Sequence, residues 1–411
     1  MAMTDVPLVA AFRAERYAPA VWLTAVLAPP YDVIDTAERE TLAARDAHNV
    51  VHVILPEGNG DRYAHAALLL EQWRGAGALV TDQVPGVYVV RQRFSTGDGA
   101  AHERTGVIAA VAAEPFAAGR VRPHEHTHAG PKQDRLELLR ATETMCEALL
   151  MLSRDSTSAL RHQLLDVTRA APTARARLAD VEIALWAVHG EAAEALARAA
   201  SREPLYIADG HHRYETTVAY QRENARAART LALIVPLGDP GLVVLPTHRL
   251  VAGRPVPDDV LNALAGHCTI EPLRDAADVV PSLDTVRGRG CVVLLGSGRA
   301  FRLTRNGATP PALAAQAEAV RSLDVAWADE AVVPTLKATA GAETLAYTPD
   351  AAAAVDTVRR GDASAAVLLA PPAVEQVLDV ADAGAFMPPK ATFFTPKVPS
   401  GIVFLHYTDA A

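Results

Sequence analysis

Cysteine is scarce in this chain of 411 residues: Cys146, Cys268 and Cys291 are the only three. They stand far apart and form no CxxC pair, which argues against a disulfide framework and the common cysteine-based zinc modules. Such isolated thiols read as small buried hydrophobes in a reduced compartment. Aromatic residues are few, at 5%. Basic residues are outnumbered, 39 to 48, for a formal charge of -9. A general nucleic-acid binder needs a basic surface to displace counterions, so that class is disfavoured. No apolar run reaches the ~20 residues of a membrane span. Asp5, Arg13, Glu15 and Arg16 precede any long apolar stretch, unlike a secretory leader. The expected location is cytoplasmic. Also missing are GxxxxGK[ST], a GxGxxG after a strand, GxSxG and HExxH, which sets aside P-loop, Rossmann, hydrolase-elbow and zincin chemistry.

Half of the residues are hydrophobic, enough to bury a sizeable core. The length suggests two or three domains. The working division is residues 1–120, 121–250 and 251–411, with the last region lending a lysine-bearing tail to the site. Strand and helix signals alternate throughout, so the fold class expected is α/β (α+β) with mixed sheets. The apolar, β-branched run Val50–Leu55 reads as a strand, and Tyr63–Arg74 as a helix stopped by Gly75. Val84–Phe94 and Arg104–Val111 read as strands joined by a turn at Ser95–Gly99. Lys132–Leu152 reads as one helix, and Leu160–Ala200 as mostly helical. Tyr206–Ala208 reads as a short strand followed by a helix at Tyr214–Ala227.

Four segments carry polar chemistry at places where a chain turns. In Tyr206–Glu215 an apolar strand meets Asp209-Gly210-His211-His212-Arg213 and then a helix. Glycine permits the tight turn, and the opening amides of a helix lack intrahelical acceptors and carry partial positive charge. That makes an anion site, to which His211, His212 and Arg213 add donors. Asp209 is a candidate Mg²⁺ ligand. The plain alternative is a helix cap flanked by surface histidines. In Arg122–Arg135, His124, His126 and His128 alternate and would share one face of an extended segment. They suit an anion or substrate, helped by Lys132 and Arg135, or Zn²⁺, or a merely solvated loop. Pro29-Pro30 stiffen a turn presenting Tyr31 and Asp32, where a carboxylate could serve as a base or hold a metal. Met387–Lys397 sets Lys390 and Lys397 in a proline-stiffened loop, to neutralise phosphate or to pack Phe393 and Phe394 across a domain. Leu245–Leu250 adds a His248-Arg249 pair after a strand.

Seven segments in chain order resemble one family, the bacterial and archaeal proteins catalogued as domain of unknown function 1015. They are Ala28–Val33, Asn49–Pro56, Arg62–Trp73, Arg122–Arg135, Tyr206–Thr216, Leu245–Leu250 and Met387–Lys397. The DGHHR stretch also resembles the corresponding turn of free serine kinases in the ParB/sulfiredoxin-like superfamily. This second resemblance implies a ParB/sulfiredoxin-like core around the strand–turn–helix at 205–227, with further α/β elaborations. It implies that Asp209, Gly210, His211, His212 and Arg213 line a phosphate site for a nucleotide, ATP or ADP, with Mg²⁺. A separate carboxylate then acts as base, for which Asp32 and Glu125 are the candidates, Glu57 a weaker one, and His212 a further catalytic candidate.

The leading functional expectation is a nucleotide-dependent kinase for a small hydroxylated metabolite such as free L-serine. A nucleotide-binding switch without transfer is the second reading. A metal-dependent phosphatase or hydrolase using His124, His126 and His128 is the third. The expected partners are a nucleotide and a small-molecule substrate, with no membrane, nucleic acid disfavoured and a homodimer left open.

Overall fold

The computed structural model describes residues 6–58, 60–127 and 129–407. The chain forms two compact units. The first comprises residues up to Pro123, Thr127–Leu242 and the segment from Pro396 onward; the second comprises His124–His126 and Val243–Thr395. Both are mixed α/β, as the alternation of signals implies. No helix among the described residues is long and apolar enough to cross a membrane.

The first unit is built on a nine-stranded sheet. Its strands run in the order Val121–Arg122, Leu205–Asp209, Leu149–Ser153, Arg229–Pro236, Ala101–Ala112, Gly86–Ser95, Val181–His189 and Ala174–Leu178. Val9–Ala10 pairs beside Val111. Leu205–Asp209 runs parallel to Val121–Arg122, and Arg229–Pro236 parallel to Leu149–Ser153, while the remaining pairs are antiparallel. Leu149–Ser153 is buried throughout, and Ala101–Ala112 and Arg229–Pro236 are buried over Arg104–Ala112 and Thr230–Pro236, in keeping with their Val/Ile/Leu/Ala runs. Helix Gly190–Ala200 adds Ala193, Leu196 and Ala197 to that core. A separate apolar cluster joins Tyr17, Val26, Val50, Val51, Val53, Ile54, Leu70 and Trp73 to Phe404, from a distant part of the sequence.

The second unit holds a six-stranded antiparallel sheet in the order Cys268–Pro272, Ala300–Arg305, Gly290–Leu295, Ala365–Leu368, His248–Val251 and Ala346–Thr348. Helices Val279–Val286 and Ala351–Arg359 cover one face through Val279, Val286, Ala354 and Val358. A two-stranded ribbon, Val243–Leu245 with Phe393–Thr395, closes it.

Three local expectations give way. Val51–Ile54 is a helical turn, because Asn49 accepts from the Val51 amide and donates to the carbonyls of Ala25 and Leu27. A fully buried apolar run reads alike in helix and strand. The helix Ala129–Thr142 ends at Glu143, which adopts φ 48°, and strands Thr144–Met145 and Leu149–Ser153 follow. Residues 160–200 contain a hairpin, Ala174–Leu178 with Val181–His189, between two helices. The hairpin pairs with Gly86–Arg93, so tertiary pairing overrides the helix propensity of its alanines and arginines.

Candidate functional site

The strand Leu205–Asp209 carries a bulge between Ile207 and Asp209, which re-aims Asp209 at the sheet end. Gly210 follows with φ 95°, in the left-handed region, and caps the helix His211–Gln221 without a side chain. A Cβ there would lie 2.4 Å from the Leu149 side chain and 3.0 Å from the Arg213 guanidinium, so both the turn and the space demand glycine.

Arg213 is buried, at 5% exposure. One terminal nitrogen donates to the Ala148 carbonyl at 2.9 Å and the other to Asp209 Oδ2 at 2.7 Å. Asp209 Oδ1 accepts from the ammonium of Lys397. Burial pushes the Asp209 carboxyl up, but Lys397 and Arg213, aided by His211, outweigh it and hold the group well below the usual carboxylate range. The Lys397 backbone is fixed in turn: Arg104 donates to the Pro396 carbonyl and Gln92 to the Lys397 carbonyl. Gln92 and Arg104 face each other across neighbouring strands, and Arg104 also donates to Gln92 at 2.6 Å. Burial lowers the Arg104 guanidinium to about 10.

Beside this array lies Glu147, in the short stretch between Met145 and Leu149. Its carboxylate accepts from the Tyr31 amide at 3.0 Å and stands 3.7 Å from Arg135. Burial raises its pKa against the pull of Arg213 and Arg135. Arg135 also donates to the Ile54 carbonyl and to Asp134, and its guanidinium sits 4.1 Å from the Tyr31 ring centre. Burial, then the charge of Asp32, pushes the Tyr31 hydroxyl up to about 12. Asp32 is exposed on the turn Tyr31–Val33. A cavity of about 40 Å³, room for water-sized occupants, is lined by Arg135, Glu147, Arg213, Thr216 and Thr217 among others.

The first unit thus brings together Tyr31, Asp32, Arg135, Asp209, Gly210, His211, Arg213 and Lys397. His211 is buried at the helix start and His212 half-buried beside it. Lys132 ion-pairs with Glu215 at 2.7 Å, one helical turn further on. Each Asp209 oxygen accepts from one cation, Oδ2 from Arg213 and Oδ1 from Lys397. Among the described residues no group of three or more His, Cys, Asp or Glu is placed to hold a metal ion.

His124, Glu125, His126 and Lys390 belong to the second unit. There two segments distant in sequence meet. The His124 carbonyl accepts from the Met387 amide, its ring lies 3.4 Å from the Thr392 hydroxyl, and the His126 ring stacks on Phe386 at 3.8 Å. His128 lies outside the described residues. Lys390 is exposed with φ 55°, and its carbonyl accepts from Arg249. Arg249, fully buried, pairs through two nitrogens with Asp329 at 2.9 Å each and also donates to the carbonyls of Thr247 and Pro389.

Sequence reading missed Glu147 and Arg104. The first was hidden inside an expected helix. The second began an expected strand, where the facing Gln92–Arg104 pair was the available signal: two polar residues at buried register positions.

Among solved structures, the chain is similar to a conserved hypothetical protein from Pyrococcus furiosus, at 14% identity and TM-score 0.38, over 71% of this chain and 94% of that one. It is similar to a free serine kinase in complex with AMP, at 13% identity and TM-score 0.38, over 67% and 84%. It is also similar to C-terminally truncated SbnI from Staphylococcus aureus, at 9% identity and TM-score 0.37, over 71% and 84%. No curated protein matches the chain. The family described as protein of unknown function (DUF1015) matches residues 9–326, most of the chain, and the chain belongs to it.

Proposed function

We propose that this protein is a nucleotide-dependent phosphotransferase acting on a small hydroxylated metabolite, with free L-serine or a relative as the first acceptor to try. The observation that carries the reading is the Asp209–Arg213 turn. A left-handed glycine opens a helix at a sheet end, and Arg213 and Lys397 are held beside it on the two oxygens of one carboxylate. Helix-start amides and fixed cations are what a phosphate group needs, and phosphoryl transfer asks mainly for positioning and charge neutralisation. The resemblance of DGHHR to the turn of free serine kinases supports the same assignment.

In this reading His211, His212 and Lys397 face the phosphates, while Asp209 keeps Arg213 and Lys397 in place. Mg²⁺ would enter as the counter-ion of the nucleotide phosphates. The acceptor hydroxyl oxygen attacks phosphorus, the bond to the nucleoside diphosphate breaks, and the hydroxyl proton passes to a carboxylate. Asp32, exposed on a turn whose backbone is anchored to Glu147, is the base we assign. Tyr31, Lys132 and Arg135 belong to the substrate and phosphate side of the first unit. Glu125, His124, His126 and Lys390 are separate anion-binding candidates within the second unit.

The test is calorimetric titration with ATP, ADP and pyrophosphate in Mg²⁺, followed by ³¹P NMR of mixtures with an amino-acid and polyol panel. A saturating ligand at a hundredfold excess over its Kd stabilises by about 2.7 kcal/mol. Binding with a new phosphomonoester signal supports transfer. Binding without product in any mixture favours the switch reading, and no binding at all ends the nucleotide proposal.

A further inference from the structure

A further cavity in the first unit takes none of its lining from Asp209–Arg213. It has a volume of about 490 Å³, within the range of small-molecule pockets, and opens between the helices Ala129–Thr142 and His211–Gln221. Phe116, Leu136 and Val218 supply apolar wall. The floor is fixed: Tyr214 is fully buried, its hydroxyl donates to the Glu114 carbonyl at 2.9 Å, and its ring stacks on Phe116 at 5.3 Å.

The lining carries two acidic residues, Glu114 and Glu215, and two basic ones, Lys132 and Arg222, of which three are engaged in ion pairs. Glu114 is paired with Arg120, which stands outside the lining. Glu215 is paired with Lys132 and also accepts from Thr127. Arg222 remains; it is exposed, and among the described residues its guanidinium makes no ion pair or side-chain hydrogen bond. A cavity with an apolar wall and one unmatched guanidinium in its lining suits a molecule with a nonpolar body and one negative group.

We propose that this cavity is a binding site for a small organic anion with an apolar or aromatic body, held by Arg222 at its charged end and by Phe116, Leu136 and Val218 along its body. The site goes beyond the phosphotransferase reading, with which it shares only Lys132, already engaged by Glu215.

The probe is 2-naphthoate, titrated by calorimetry into the full chain, with uncharged 2-naphthamide and inorganic phosphate as comparisons. Saturable one-to-one binding of 2-naphthoate is expected, weakened at least tenfold by Arg222→Glu and by Phe116→Ala. The amide should bind at least tenfold more weakly than the acid, and millimolar phosphate should not displace the acid. Arg222 is at the surface, so Arg222→Glu is expected to keep the parent circular dichroism spectrum and melting temperature, which separates lost binding from lost folding. No binding of 2-naphthoate, unchanged affinity in both variants, or equal affinity for acid and amide overturns the proposal. Displacement by phosphate overturns the separation from the Asp209 turn, whatever nucleotide titrations give.

Discussion

Lys397 forms an ion pair with Asp209 across 188 residues of chain, and it takes the one carboxylate oxygen that Arg213 leaves. Neither end of this contact is held by its own side chain alone. Asp209 is aimed by a bulge, and the Lys397 backbone is held by Arg104 and Gln92.

Lys397→Met should therefore cost about 2 kcal/mol at neutral pH, since it strips a charge-assisted bond from a half-buried carboxylate that keeps a second partner. The sign with pH follows from the depressed Asp209 pKa. Its stabilisation is present above the unfolded carboxylate range and is lost as pH falls through that range towards the lower folded value. Urea denaturation from pH 7 to pH 3 should show the parent losing more stability than the variant as pH falls below the unfolded carboxylate range, so that the gap between them narrows in acid.

Gly210→Ala forces a side chain into the left-handed region and against Leu149. Strain of this kind costs about 1–3 kcal/mol before any clash is relieved. The variant should unfold at lower denaturant and should also lose stabilisation by pyrophosphate, measured as a shift in melting temperature. A destabilised variant that keeps the full pyrophosphate shift would show that the turn is only structural.

Arg249→Met removes the cation from a buried two-nitrogen pair with Asp329 and frees the carbonyls of Thr247, Pro389 and Lys390. Loss of one partner of such a pair costs about 3–5 kcal/mol. Arg249→Lys should recover only part of it, because an ammonium cannot reproduce the two parallel bonds. Equilibrium unfolding of the three proteins checks the order.

His248 is fully buried, and its Nδ1 accepts from the Leu369 amide. Burial, then the charge of Arg249, lowers it to about 4. Its folded pKa lies below the unfolded value near 6.5, so its neutral form stabilises above pH 6.5, and this is lost as pH falls towards 4. The full loss is about 3 kcal/mol. Asp324 works with the opposite sign, since burial pushes its carboxyl up to about 6. Comparison with His248→Asn, which keeps an acceptor for Leu369, isolates the histidine: the parent should lose stability relative to the variant between pH 6.5 and pH 4.

The mixed α/β class was legible because apolar periodicity and turn residues are local. The Asp209–Arg213 turn was legible for the same reason: strand, glycine and helix start follow one another in five residues. What was not legible depends on distant partners. Val51–Ile54 is helical because Asn49 reaches back to Ala25 and Leu27. Glu147 escaped notice because the helix before it ends at Glu143, where nothing in the local pattern announces a stop. Lys397 and Lys390 looked equivalent in one proline-rich segment, yet the boundary between the two units falls between them.

That boundary sets a schedule for synthesis. Phe404, fully buried, fits edge-on against Tyr17 at 5.4 Å and belongs to a core otherwise drawn mainly from the first eighty residues. A ribosome must first make all of Val243–Thr395, which at 5–20 residues per second takes roughly 8–30 s. Throughout that interval the early apolar cluster lacks its last ring and Asp209 its last cation. The nascent first unit cannot complete that cluster or that ion pair until Lys397 and Phe404 have themselves left the exit tunnel.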